Sequence, residues 1–163
     1  MADIIFNIQK VEVSDDGATW VNLGATKGGG RFSQSVDNVE IRDDHHGDPV
    51  AILPRSANRT LNITLLDAKP ENLALAFAGE VVNDDSGNPI GASIPSLPTG
   101  VEKQVKITTQ PVNGVQYEIT IKRGRITGNS EISFTADDAS GIPLEVKILS
   151  PTDGSNPVEI KKV

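Results

Sequence analysis

The segment Asn58-Arg59-Thr60-Leu61-Asn62-Ile63-Thr64-Leu65 alternates with a period of two. In an extended chain Leu61, Ile63 and Leu65 point one way, and Thr60, Asn62 and Thr64 the other. A strand of this kind belongs in a sheet with one face on a core and one face in water. Four later segments repeat the pattern, at 101–109, 115–126, 130–137 and 143–149. In them Tyr117, Ile119 and Ile121, then Ile132 and Phe134, then Leu144, Val146 and Ile148 are expected to face inward. Gly128-Asn129 reads as a tight turn between two of these strands. Fifteen glycines and ten prolines punctuate the chain with turns. The expected fold class is mainly β: two packed antiparallel sheets, sandwich- or barrel-like, with one short flanking helix.

That helix is written in Lys69-Pro70-Glu71-Asn72-Leu73-Ala74-Leu75-Ala76-Phe77-Ala78-Gly79. Pro70 opens it where a missing N–H costs nothing, and Glu71 suits the positive end of the dipole. Leu73 and Phe77, four apart, form an apolar stripe, and Gly79 offers a C′ stop. A helix this short is not stable alone and must pack on a sheet.

The 163 residues fit one domain, 1–163. Its N-terminal hairpin spans 1–26, with the turn at Asp15-Asp16-Gly17. Ile4, Phe6 and Ile8 alternate in one phase and Val11 and Val13 in the other, which predicts a bulge near Gln9–Lys10. Lys27-Gly28-Gly29-Gly30 reads as a flexible joint. In the strand at 31–42, Phe32 and Val36 share one phase while Val39 and Ile41 take the other, so another bulge or a sharp twist is expected near Asp37–Asn38. The loop at 43–54 is longer than a hairpin needs, which marks it as a contact loop. Residues 80–100 read as an irregular connection with one short strand, and 150–163 as a surface arm.

Charge and composition exclude several function classes. The net charge of −7 argues against tight nucleic-acid binding, which rests on Lys and Arg neutralising phosphates. No apolar run approaches the roughly 20 residues of a membrane helix. The start has neither the basic region nor the apolar core of a signal peptide. There is no cysteine, hence no disulfide or thiolate chemistry. Apolar residues make up 37% and aromatic ones 4% of the chain, so part of the apolar surface is expected to be buried between subunits. One tryptophan, one tyrosine and four phenylalanines are few for the aromatic platform of a carbohydrate-binding module.

Several clusters invite a chemical reading. Asp43-Asp44-His45-His46-Gly47-Asp48 resembles a metal site, but adjacent side chains diverge in an extended chain. A polar contact loop fits better, and no metal or other cofactor is expected. Asp84-Asp85 and Asp137-Asp138 read as turn formers, since no histidine partner accompanies them. Lys122-Arg123-Gly124-Arg125 is the one basic cluster and suits a salt-bridging subunit face. Trp20 reads as a core or rim aromatic. Without a nucleophile motif the protein is expected not to be an enzyme.

The order and spacing of elements from Gly28 to Leu149 resemble those of bacteriophage tail tube (major tail) proteins. The resemblance rests on the long hairpin, then Pro70-Glu71-Asn72-Leu73-Ala74-Leu75, then Thr127-Gly128-Asn129-Ser130-Glu131-Ile132-Ser133-Phe134. It continues through Asp137-Asp138 and Ile142-Pro143-Leu144-Glu145-Val146. It implies a structural virion protein, made in the host bacterial cytoplasm. Six copies would close into a ring, and rings would stack into the conduit for DNA ejection. The implied partners are further copies of itself, a tape measure protein, a tail terminator and baseplate or tail-tip proteins. DNA would pass without specific binding, and no membrane is involved.

A bore that holds no DNA should be polar and not basic. The residues expected there are Asn58, Thr60, Asn62, Thr64, Gln116, Glu118, Thr120, Glu131, Ser133 and Thr135. On periodicity alone the same residues equally suit the wet face of a monomeric sandwich. Contacts between subunits are expected at Asp43, Asp44, His45, His46, Asp48, Arg55, Arg59 and Arg123. The tube of a contractile injection or type VI-like secretion system, or a monomeric β-sandwich binding or decoration module, are the other readings.

Overall fold

The computed structural model describes residues 2–163; Met1, counted in the expected N-terminal hairpin, lies outside the described residues. The strands are β1 (Ile8–Ser14), β2 (Val21–Asn22), β3 (Thr26–Ile41), β4 (Ala51–Leu65), β5 (Glu80–Asn83) and β6 (Pro89–Ser93). After them come β7 (Val101–Thr109), β8 (Tyr117–Ile126), β9 (Ile142–Ile148) and β10 (Val158–Lys162). One helix, α1 (Pro70–Ala76), lies between β4 and β5.

The expected pair of packed sheets is instead one large antiparallel sheet and a small one. The large sheet runs β2-β1-β7-β8-β9-β4-β3, and β10 joins it on β8. The small sheet is the β5–β6 hairpin, two strands in the region where one was expected. One edge of β8 serves two neighbours. Gly124–Ile126 pairs with β9, while Tyr117–Ile121 pairs with β10. The C-terminal arm thus ends as a strand of the main sheet.

Register sorts the side chains into rows. Ile126, Val146, Leu61 and Phe32 are successive cross-strand partners, as are Val13, Val105, Ile121 and Val158. Such rows sit on one face because directly paired residues point the same way. Val11 and Val13 of β1 nevertheless share one buried cluster with Leu61, Ile63 and Leu65 of β4, although β7, β8 and β9 lie between the two strands in the sheet. The sheet therefore curls until its apolar face meets itself. Gly30 marks the closest approach: a Cβ there would lie 2.5 Å from Ile8 Cδ1, so β1 comes against β3 only because this residue has no side chain.

Both expected bulges occur. Pairing of β1 with β7 slips between Ile8 and Lys10, and pairing of β3 with β4 slips between Asp37 and Asn38. In the second, Asp37 faces Ser56 and Asn38 faces Pro54, so the extra residue is Arg55, on β4. A third slip lies between Lys103 and Val105, opposite Lys122 and Arg123 of β8.

Three other strand expectations change. The flexible joint at Lys27–Gly30 belongs to β3, and Ala51–Pro54 belongs to β4, so the connecting loop shortens to residues 42–50. Residues 130–137 form no strand, and Gly128-Asn129 starts no tight hairpin. The alternation Glu131-Ile132-Ser133-Phe134-Thr135 meets no partner strand within the chain, so Phe134 is exposed where it was expected to face inward.

In α1 the most buried residues are Asn72, Ala74 and Ala76, with Leu73, Leu75 and Phe77 half-buried against the cluster. The helix ends in two reversed hydrogen bonds. Gly79 N–H donates to Ala74 O at 2.8 Å and Ala78 N–H to Leu75 O at 3.3 Å. This is the Schellman arrangement, with Ala78 in the left-handed position at φ 51°. The expected C′ residue, Gly79, is therefore the next one along. Its lack of a side chain matters for another reason, because a Cβ there would collide with the Ser93 carbonyl oxygen. Asn72 fastens the helix: its Nδ2 donates to Leu23 O at 2.7 Å and to Asp67 O at 2.9 Å. One amide thus joins the end of the first hairpin, the exit from β4 and α1.

Candidate functional site

Two surfaces stand out, a projecting hairpin and a broad polar sheet face. Strand β4 leaves β9 after Thr60, so beyond that point β3 and β4 pair only with each other. Val36, Val39, Ile41, Val50, Ile52 and Leu53 are all exposed on this ribbon. The bulge decides where they point. β3 carries no extra residue, so Val39 and Ile41 lie on the face opposite Phe32 and Val36. Their partners Leu53 and Ala51 share that face. The outer part of the ribbon thus shows its apolar side away from the face that continues the core.

The loop at the tip is held by its own polar groups. Asp43 Oδ1 accepts from His45 N–H at 3.1 Å and from His46 N–H at 2.8 Å, and the carboxylate meets His46 Nδ1 at 2.7 Å. These bonds, led by the histidine, hold the Asp43 carboxyl below its ordinary range. Arg42 bridges Glu40 Oε2 at 2.7 Å and Gly47 O at 2.9 Å. Among the described residues no group of three potential metal ligands comes together. Asp43, Asp44, His45, His46 and Asp48 are exposed at this tip, with Arg55 on the adjoining strand. Arg59 sits nearer the body, where its Nε donates to Gln34 Oε1 at 2.6 Å.

Arg123 lies apart from them on the body of the sheet, where it has partners within its own chain. It grips both oxygens of Glu102 at 3.1 Å and donates to Ser150 O at 3.2 Å. Arg125 approaches the same glutamate at 3.7 Å. Lys122 pairs with Glu159 at 3.3 Å. Each base of the cluster thus has an acidic partner within the chain, which the sequence did not reveal because Glu102 and Glu159 are distant from it.

The hydrogen bond from Arg123, followed by its charge and that of Arg125, lowers the Glu102 pKa. A carboxyl with a depressed folded pKa stabilises the protein above its unfolded pKa, and this contribution is lost as pH falls through the folded value. Glu102→Gln should therefore change the melting temperature little at pH 7, since the pair is exposed. The small deficit of the variant at pH 7 should vanish as pH falls through the folded pKa of Glu102, where the wild type loses the same charge. Thermal unfolding of both proteins across pH 3–7 checks this, and parallel profiles would contradict it.

The polar face follows from the same register. One row reads Glu12, Lys106, Thr120, Glu159, and the next Lys10, Thr108, Glu118, Lys161. A third reads Glu102, Arg125, Lys147, Thr60, Ser33, and a fourth Glu145, Asn62, Arg31. Acids and bases interleave across the sheet, so the face is polar without being free of lysine and arginine. Lys106 Nζ also lies 4.0 Å from the Trp20 ring centroid, which gives the tryptophan a rim position.

Of the residues expected to share one polar wall, Thr60, Asn62, Thr64, Glu118 and Thr120 occupy this face. Gln116 immediately precedes β8, and Asn58 lies on the projecting ribbon. Glu131, Ser133 and Thr135 fall in the connection 127–141. That connection arches beside Lys27, Thr64 and Pro143 and frames an open crevice of about 670 Å³.

Among the described residues no helix is long and apolar enough to cross a membrane. None of the curated proteins compared with the chain matches it. The family model described as "Phage tail tube protein" matches residues 7–159, nearly the whole length. A structural family of this kind implies a component of the virion tail and a role other than catalysis. The protein belongs to the phage tail tube protein family.

Proposed function

We propose that the protein polymerises with itself into stacked six-membered rings, forming the conduit through which DNA leaves the capsid. The whole chain acts as one tube-forming unit. The observation that carries this reading is the projecting hairpin. Beyond Thr60 and Ser33 it leaves the body of the fold and exposes Val39, Ile41 and Leu53 on one side. A cluster of exposed apolar side chains on an extended ribbon suits burial against a neighbour. The acidic and histidine-bearing tip, with Arg55 and Arg59 behind it, supplies polar contacts between rings, and the mixed-charge sheet face lines the bore. DNA is a passenger, and the further partners are a tape measure, a terminator and a tail-tip assembly. Tubes of contractile injection machines remain the runner-up, and a sheath bound around the purified tube would select it.

Negative-stain electron microscopy over a concentration series tests the reading. Hollow rings or tubes of uniform diameter, with a bore wide enough for a duplex, are expected. Dispersed small particles at every concentration, even after addition of a tail-tip complex as a seed, would overturn it.

A further inference from the structure

The connection 127–141, between the end of β8 and the start of β9, is a strand without a sheet. Fifteen residues is long for a link between two antiparallel neighbours. Its ends are fastened. Ser130 Oγ donates to Pro143 O at 2.6 Å, and Lys27 binds the Asp138 carboxylate and, at 2.7 Å, Ala139 O. Between these anchors, residues 131–137 make no backbone–backbone hydrogen bond. Yet Glu131-Ile132-Ser133-Phe134-Thr135 alternates as cleanly as any paired strand of the protein. Phe134 is 93% exposed, more than any other large hydrophobic residue described. A segment with the pattern of a half-buried strand and no partner within its chain is a local preference that the monomer leaves unmet.

We infer that this segment becomes a strand on association, adding to the free outer edge of β3 in a second copy of the chain. The inference rests on the self-assembly reading and names the contact that regulates it. β3 ends the main sheet, and its outer edge presents unpaired backbone groups over a strand of 16 residues. The two patterns match. On β3 Phe32 and Val36 lie on one face, and Arg31, Ser33 and Ser35 on the other. Strand addition sets Ile132 and Phe134 beside the first group and Glu131, Ser133 and Thr135 beside the second.

Charge points to the same edge. Arg31 on β3, and Arg55 and Arg59 on β4 behind it, have no carboxylate partner among the described residues. Glu131 and Asp137 likewise have no cation. The competing free edges are shorter: β2 has two residues, β5 and β6 four and five, and β10 five, with its Glu159, Lys161 and Lys162 already ion-paired. Held at both ends and open between them, the segment leaves the lone subunit soluble and supplies its strand only when a neighbour's edge is presented.

The chain has no cysteine, so single-cysteine variants report only bonds between subunits. Ser133→Cys is mixed in turn with Ser33→Cys, Ser35→Cys, Asp37→Cys and, on β10, Lys161→Cys, and each mixture is oxidised during assembly. Disulfide-linked dimers are expected with at least one β3 variant. Phe134→Ser should leave the melting temperature of the monomer unchanged and raise the concentration needed for assembly on the order of tenfold. Wild-type tubes together with unimpaired Phe134→Ser tubes and no cross-link to β3 would overturn the inference and leave the tube reading intact. A cross-link to Lys161→Cys alone would overturn the assignment to β3. A wild-type protein that never associates would overturn both readings.

Discussion

Asn72→Asp lowers the stability of the folded protein at neutral pH by about 3 kcal/mol or more. The side chain is 4% exposed, and both of its donor hydrogens point at backbone carbonyls, Leu23 O and Asp67 O. A carboxylate of the same shape offers only acceptors to those two oxygens. The variant therefore loses two hydrogen bonds, leaves two carbonyls unsatisfied and buries a charge without a counterion. The effect depends on pH with a definite sign. Burial beside two carbonyls raises the folded-state pKa of the introduced carboxyl above its unfolded value. The penalty is therefore complete above the folded pKa and shrinks as pH falls toward the unfolded value, where the protonated acid can donate one bond again. Denaturant unfolding of both proteins at pH 7 and pH 4 reads this directly. A difference independent of pH would mean that Asn72 is not held by these bonds.

Leu61→Ala is expected to cost about 3 kcal/mol, within the usual range for a buried leucine. Leu61 is 1% exposed and lies in the row Ile126, Val146, Leu61, Phe32. It is also where the ribbon leaves the body, one residue inside the last β4–β9 pair. A cavity there should lower the melting temperature by roughly 6–12 °C for a chain of this size. It should also speed amide hydrogen exchange in 33–41 and 51–60 more than in β7 and β8. A uniform change across the chain would show that the ribbon does not depend on this anchor.

The polar–apolar alternation was legible in the sequence wherever a strand sits half in water. Leu61, Ile63, Leu65, Leu144 and Val146 face the core as their spacing requires, and the phase change at Gln9–Lys10 located a bulge on β1; the one at Asp37–Asn38 marks a slip whose extra residue, Arg55, lies on β4, so the apolar side of β3 changes face. What the sequence did not carry was pairing. Residues 130–137 have the right period, but a strand needs a partner, and the partner within the chain is absent. Val158–Lys162 form a strand that a polar, proline-bearing tail concealed, because β8 offers it an edge left over by β9. The third slip, opposite Lys122 and Arg123, was hidden because charged residues on both sides of it leave no change in apolar phase to read. The curl that turns one sheet into two layers depends on close approaches such as Gly30 against Ile8, which no periodicity encodes.

The candidate surfaces were legible to different degrees. Loop length and polarity marked the hairpin tip, although Ala51–Pro54 proved to be ladder rather than loop. The arginines were read by type alone. Arg55 and Arg59 lie on the ribbon, whereas Arg123 is held by Glu102, which is 21 residues away in sequence and adjacent only across the β7–β8 pair. The lysines and arginines of the polar face were passed over because the expected wall was assembled from uncharged and acidic positions.

The interleaving of acids and bases on that face has a physical consequence for any polyanion that slides along it. At physiological ionic strength electrostatic influence fades over about 8 Å, whereas neighbouring strands are roughly 5 Å apart. The opposed pairs Glu12–Lys106, Glu102–Arg125 and Glu118–Lys161 therefore cancel within the screening distance, and among the described residues Arg125 beside Lys147 is the one place where two cations meet across strands. Beyond the first layer of water the potential is nearly flat, with no deep wells to trap a phosphate and no steep hills to brake it. If this face lines the proposed bore, it would act as a low-friction bearing wherever its opposite charges lie closer together than the screening distance.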